Sequence, residues 1–220
     1  MEVPATTPCE AYYLEFGVLP IGALLKARRI NYLQCIVKQE EKGMLYSFLI
    51  TQWNNPTKGD WTEQVKKDLE DFEIPCSFEL MKQKSKETFK KMVKVRAKEY
   101  ALKVLLSKKG TKMEKLLYSD LTIQNYLVNE ETTINQKKTL FKYRVRMERF
   151  GENFRGGNAP VMCPLCTLHL DNQEMGFRCP EIKQELQING SIEDIYKENI
   201  PIETIRTITK ISDIRKSRIE

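Results

Sequence analysis

The chain has 220 residues, with 41% hydrophobic and 30% charged residues, 36 Lys and Arg against 30 Asp and Glu, and a mean hydropathy of -0.48. Ten glycines and nine prolines are too few for a collagen-like or a Pro/Gly-rich disordered chain. No stretch contains the roughly 18 uncharged apolar residues of a membrane helix, and the first residues lack the basic and apolar regions of a secretory signal. We therefore expect a soluble intracellular protein that is long enough for one or two folded cores.

Helix signals follow one another along the chain, and no segment has a convincing strand pattern. The predicted helical ranges are 8–16, 20–37, 44–53, 61–72, 85–108, 112–129 (broken), 133–149, 191–197 and 201–215. In the last range, isoleucines recur every three residues, which also leaves a short strand open there. We predict an all-α fold: an irregular multi-helix bundle at 1–150, a Gly/Arg loop with a small module rich in cysteine at 151–190, and a short helical tail at 191–220.

The most informative residues form the pattern C-x2-C-x2-H-x9-C: Cys163, Cys166, His169 and Cys179. Two cysteines separated by two residues place both sulfur atoms on one side of a turn, and Zn²⁺ prefers four such ligands in a tetrahedron. In an intracellular protein this spacing favours a metal over a disulfide. We predict a closed, structural zinc site, with Asp171 or Glu174 as alternatives to His169. The competing interpretation is two small residues in a turn beside a surface imidazole.

Positive charge is concentrated in two segments. Residues 82–99 contain eight basic and two acidic side chains, and residues 136–156 contain seven basic and two acidic ones. Clustered cations of this kind suit the phosphates of a nucleic acid, although a Lys-rich helix face is also a common solvated surface. The candidate nucleic-acid-binding residues are Lys90, Lys94, Lys98, Arg144, Arg146, Arg149 and Arg155, the last beside two glycines.

Three phrases of the sequence resemble the region that follows the reverse-transcriptase domain in non-LTR (LINE-type) retrotransposon polyproteins. They are YYLEFGVLPI at 12–21, ARRINYL at 27–33, and MCPLC at 162–166 together with RCP at 178–180. In that family the histidine lies about five residues before the last cysteine, a position that is Glu174 here. The resemblance spans about residues 8–185.

The resemblance implies a helical segment and a zinc-knuckle-like module that handle element RNA and target DNA, in the nucleus. The paired aspartates that hold the catalytic metals of the family's polymerase do not occur in this sequence. We therefore predict a protein that binds RNA or DNA and is not an enzyme, with no membrane and no small-molecule substrate among its partners. A zinc-stabilised helical scaffold that binds protein, or a decayed fragment of an element, remains the alternative.

Overall fold

The computed structural model describes residues 7–39, 43–110, 113–154, 161–188 and 191–219. Within these ranges the regular structure is helical, with 3-10 helices at Gly151–Phe154 and Ile192–Tyr196 and isolated β-bridges in place of strands. The α-helices are α1 (Cys9–Phe16), α2 (Ile21–Val37), α3 (Met44–Asn54), α4 (Trp61–Asp71), α5 (Phe78–Gln83), α6 (Lys86–Ser107), α7 (Asn125–Val128), α8 (Ile134–Arg144), α9 (Gln173–Arg178), α10 (Pro180–Glu185) and α11 (Ile202–Ile219). The all-α prediction is confirmed.

Polar side chains begin several helices by accepting a backbone N–H that has no partner inside the helix. Asp60 accepts from the N–H of Glu63, and Ser85 accepts from the N–H of Thr88. Thr133 forms a reciprocal capping box with Gln136 at the start of α8. The helix starts are therefore set by local sequence.

Several elements differ from their predicted form. The helix predicted to reach residue 149 ends at Arg144, because the chain turns through a positive φ of 52° at Arg146. Among the described residues of the range 112–129, the single turn α7 is the α-helical part, and α5 was not predicted. Residues 202–215 of the predicted range 201–215 lie in the α-helix α11 and not in a strand, and Ile205, Ile208 and Ile211 on the inner face of this helix are buried.

The chain divides into two compact units. The central unit is Val18–Lys108, and the flanking unit consists of the described residues on either side of it. This division differs from the predicted boundaries at 150 and 190, which followed composition. The physical reason is a buried ion pair at 2.8 Å between Glu15 and Arg144, which joins α1 to α8 across the intervening sequence.

The central unit is built around α2, which packs against α3, α4, α5 and α6. Its core is a single cluster of apolar side chains spaced three or four residues apart on these helices, such as Ile30 and Leu33 of α2, Leu69 of α4, and Phe89 and Val93 of α6. This spacing places the apolar side chains of each helix on one face, and burial of those faces drives the packing.

The flanking unit has a buried polar centre. The carboxylate of Glu15 accepts hydrogen bonds from Tyr118 (2.6 Å), Tyr126 (2.8 Å) and the Nε atom of Arg144 (2.8 Å). Gly17 ends α1 at a φ of 62°, and a Cβ atom there would lie 2.3 Å from the carbonyl carbon of Thr122. Only glycine therefore allows this close approach of the two backbones.

Candidate metal centre and cationic groove

Two of the clustered cysteines lie on the turn of a short hairpin in the flanking unit. The N–H of Asp171 donates to the carbonyl of Val161 at 2.8 Å, and the N–H of Cys163 donates to the carbonyl of His169 at 2.7 Å. The turn closes at Thr167, which has a φ of 52° and donates its N–H to the carbonyl of Cys163. The hairpin backbone therefore holds the sulfur atoms of Cys163 and Cys166 near each other.

The third cysteine comes from the junction of α9 and α10. Asn172 caps α9, the N–H of Cys179 donates to the carbonyl of Met175, and Pro180 begins α10. The three Sγ atoms all lie within 4.8 Å of one another, and those of Cys163 and Cys179 are 4.0 Å apart. Thiolates at about 2.3 Å from a tetrahedral ion lie about 3.8 Å apart, so the three sulfur atoms fit one metal ion.

The surroundings of the sulfur atoms favour the thiolate at one position and oppose it at another. Burial disfavours ionisation of Cys166, but hydrogen bonds from the backbone N–H of Leu168, from the thiols of Cys163 and Cys179 and from the N–H of His169 together outweigh it and lower the pKa of this thiol. Burial raises the pKa of Cys179 to about 11, although the N–H groups of Ile182 and Glu181 favour its thiolate. Backbone N–H groups of this kind orient and stabilise the ligands of a metal.

The structure does not bring the imidazole of His169 into this group. The backbone of His169 pairs with Cys163 in the hairpin, while its side chain is exposed. Of the four predicted ligands, the structure therefore brings together the three cysteines and leaves His169 apart. The spacing of two residues after Cys166 is the reason, because the chain has already turned back along the hairpin at His169.

Neither carboxylate that was an alternative fourth ligand joins the cysteines. Glu174 forms an ion pair with Lys115 at 2.9 Å. Asp171 forms an ion pair with Arg215 of α11 at 2.8 Å and accepts the N–H of Gly151 at 2.7 Å. The guanidinium of Arg215 also lies 4.2 Å from the ring centroid of Phe150. These contacts fix the base of the hairpin to α11.

The three candidate arginines of the basic segment at 136–156 that the structure describes lie in different surroundings. Arg144 is fully buried, pairs with Glu15 and donates to the backbone carbonyls of Ile195 and Lys197. The prediction that Arg144 binds nucleic acid is therefore wrong, because a polyphosphate chain cannot reach a buried guanidinium. Arg146 is half-buried, Arg149 is exposed, and Arg155 lies outside the described residues.

The basic segment of α6 forms a cationic surface in the central unit. Lys90 and Lys94 are exposed and line a groove of about 510 Å³ between α2 and α6. Lys98 is half-buried and does not line this groove. The groove also contains Arg28 and Lys86, both exposed, which sequence reasoning did not single out. Lys86 was detectable, since it lies four residues before Lys90 on the same helix row.

Four cations line this cationic groove: Arg28 of α2 and Lys86, Lys90 and Lys94 of α6. The two remaining cations of α2 form ion pairs with acidic residues of α4. Lys26 pairs with Asp68 and Asp71, and Arg29 pairs with Asp68. No acidic residue is among the described residues that line the groove. The described lining therefore carries four positive charges and no negative one, and a multiply charged anion is the complementary ligand.

Within the described ranges, no helix is both long enough and apolar enough to cross a membrane. Comparisons of the chain with protein-family models, with curated proteins and with solved structures found no match.

Proposed function

We propose that this protein binds nucleic acid through the cationic groove of its central unit, and that its three clustered cysteines hold a structural Zn²⁺ ion. The observation that carries the proposal is the groove itself, where Arg28, Lys86, Lys90 and Lys94 meet without an acidic neighbour among the described lining residues. On this view the protein is a binding module and not an enzyme. The phrases that resemble LINE-type polyproteins support the same class of ligand.

The row of lysines on α6 has a spacing that suits a phosphate backbone. Lys86, Lys90 and Lys94 lie four residues apart, so the Cα atoms of successive lysines are about 6 Å apart along the helix axis. A strand of nucleic acid presents a regular row of single negative charges, and each lysine that replaces a counterion adds an entropic gain to binding. An isolated small anion would use only one or two of the four cations.

Zinc is the metal that the donor set favours. Three thiolates are soft ligands, which disfavour the hard cations Mg²⁺ and Ca²⁺. They favour zinc, an ion that has no redox chemistry of its own. The ion would tie the hairpin turn at Cys163 and Cys166 to the α9–α10 junction at Cys179. Its contribution would be to hold these short segments together, since they bury few apolar side chains of their own.

A salt series tests the nucleic-acid function. We expect Lys90→Ala/Lys94→Ala to lower the affinity for a labelled RNA oligonucleotide and to reduce the slope of log affinity against log salt by about 1.4 to 1.8. The control is Lys91→Ala/Lys103→Ala, which removes two exposed lysines from other faces of the same helix. Absence of binding at low salt, or equal slopes for both double variants, would contradict the proposal.

A protein-binding scaffold is the second candidate, and one observation favours it. Met44 and Phe48 of α3 are 85% and 60% exposed, and Leu45 between them is 48% exposed, so α3 presents an apolar face to solvent. Faces of this kind often mark interaction sites. If the salt series shows no binding of nucleic acid, this apolar face becomes the better guide to function.

A further inference from the structure

We infer, on the basis of the proposed function, that the cationic groove selects single-stranded nucleic acid, with unpaired bases resting on an apolar floor between α2 and α6. The juxtaposition that carries this inference is a row of cations beside apolar side chains in one groove. Phosphates would follow Lys86, Lys90 and Lys94 along the rim, with Arg28 on the opposite helix.

The floor of the groove is apolar. Leu19, Leu24, Ala27 and Cys35 line the groove together with the cations. Leu24 is half-buried and lies outside the core cluster of the central unit, so part of its side chain faces the groove and is not consumed by packing. A ligand that carries only charge would cover this surface without any compensating contact.

The floor also offers a polar group that is free to pair. The side-chain amide of Asn31 lines the groove, and its Oδ1 atom is buried without a hydrogen bond within the described part of the chain, so a rotation of the amide would bring this acceptor to a bound base. An amide can exchange hydrogen bonds with the edge of a nucleobase. In a duplex those edges already pair with each other, whereas an unpaired base has its edge and both faces open.

The size and shape of the groove agree with this occupant. A volume of about 510 Å³ falls within the range of about 300–1,000 Å³ that is typical of small-ligand sites. Lys86 to Lys94 covers two helical turns, or about 12 Å, which suits two or three nucleotides. A duplex is rigid and presents phosphates and sugars outward, so it would meet the lysines but not the floor.

The test compares a short fluorescein-labelled RNA of mixed sequence with the same RNA annealed to its complement, both titrated with the full chain by fluorescence anisotropy. We expect the single strand to bind about tenfold more tightly than the duplex. We expect Leu24→Ser to weaken binding of the single strand about five- to tenfold and to change binding of the duplex by less than about twofold.

The matched control is Leu25→Ser, which makes the same change at the next residue of α2, where the side chain is 44% exposed and does not line the groove. Its affinities should equal those of the unchanged protein, and circular dichroism of both variants should show intact helices. Equal binding of single strand and duplex, with no effect of Leu24→Ser, would overturn the inference and leave the proposed function standing.

Two further outcomes are decisive. If neither RNA binds at low salt, the proposed function itself fails. If an acidic amphipathic peptide displaces the single strand and loses affinity in Leu24→Ser, the groove is a protein-docking site and the inference is wrong.

Discussion

At the scale of residues, the sulfur atoms of Cys163, Cys166 and Cys179 come from two consecutive segments of the flanking unit. The hairpin supplies the first two and the α9–α10 junction supplies the third. Exposed apolar side chains on the hairpin, such as Leu168 at 67%, show that it has little core of its own. A shared metal ion would therefore contribute much of the free energy that holds these segments together.

Two substitutions separate the ligands from their neighbour. We expect Cys163→Ser to lower the zinc content of the purified chain from about one equivalent to well below it, and to lower the melting temperature, because one of the ligands is lost. We expect His169→Ala to leave the zinc content unchanged, because its imidazole lies outside the group. Elemental analysis and thermal melts with and without a chelator measure both effects.

The control for these substitutions is Cys9→Ser, which removes an exposed thiol from α1 in the same unit. Its zinc content and melting temperature should match those of the unchanged chain. A melting profile of the unchanged chain that is the same with and without the chelator would contradict a structural metal.

At the scale of elements, a partly buried cluster of charged side chains joins α2 to α4. The carboxylate of Asp68 is fully buried and contacts Lys26 at 3.1 Å and Arg29 at 2.6 Å. Burial alone would raise the pKa of Asp68, but hydrogen bonds from Arg29 and Lys26 outweigh it and lower this pKa below its ordinary value. The folded state therefore binds this proton less tightly than the unfolded state does.

This shift predicts a pH dependence of stability. The contribution of Asp68 is fully present above the ordinary carboxyl pKa of about 3.9 and is lost as the pH falls through the lower folded-state pKa. We expect Asp68→Asn to lower the free energy of unfolding at pH 7 by about 2 kcal/mol and to flatten its dependence on pH below about 4. Urea denaturation across this pH range measures both effects.

Glu70→Gln is the matched control, since Glu70 is an exposed carboxylate on the same helix. This variant should lose stability below about pH 4 as steeply as the unchanged protein does. If the free energy of unfolding of Asp68→Asn falls equally steeply with decreasing pH, carboxylates other than Asp68 dominate the loss of stability in acid.

At the scale of the whole molecule, the chain forms two units with different kinds of interior. The core cluster of the central unit is drawn entirely from its own residues, from Ala27 to Ala97. The flanking unit also buries apolar side chains, such as Leu14 and Phe141, and it encloses two ion pairs whose partners come from distant parts of the chain, Glu15 with Arg144 and Asp171 with Arg215. A unit that depends on such pairs needs every partner present, because an unpaired buried charge is strongly destabilising.

We expect the fragment Val18–Lys108 to fold without the rest of the chain, because it contains its complete apolar core. Its circular dichroism should be strongly helical, and its thermal unfolding should be a single cooperative transition. A fragment that begins at Lys109 lacks Glu15 and should be less stable, by about 3–5 kcal/mol relative to the same residues with α1 present. A non-cooperative melt of Val18–Lys108 would contradict its independence.

Local sequence accounts for the helical fold and for much of its detail. The helices α4, α6 and α8 begin within a residue of their predicted starts, where Asp60, Ser85 and Thr133 cap them, and the Cys-x2-Cys turn forms as its spacing indicates. Arg144 shows where this reasoning fails. Arg144 lies in a basic segment, a pattern that predicts an exposed side chain. Nothing near it in the sequence indicates that Glu15 will neutralise its charge.

The helices, the sulfur donors and the positive charge of α6 can be predicted from local sequence, because each depends on residues within a few positions of one another. Which side chains share a site depends on tertiary packing: Arg28 and Lys86 join Lys90 and Lys94 in one groove, His169 lies outside the cysteine group, and Arg144 is buried. Side-chain direction and burial follow from contacts between segments that are far apart in sequence, so no local pattern contains them.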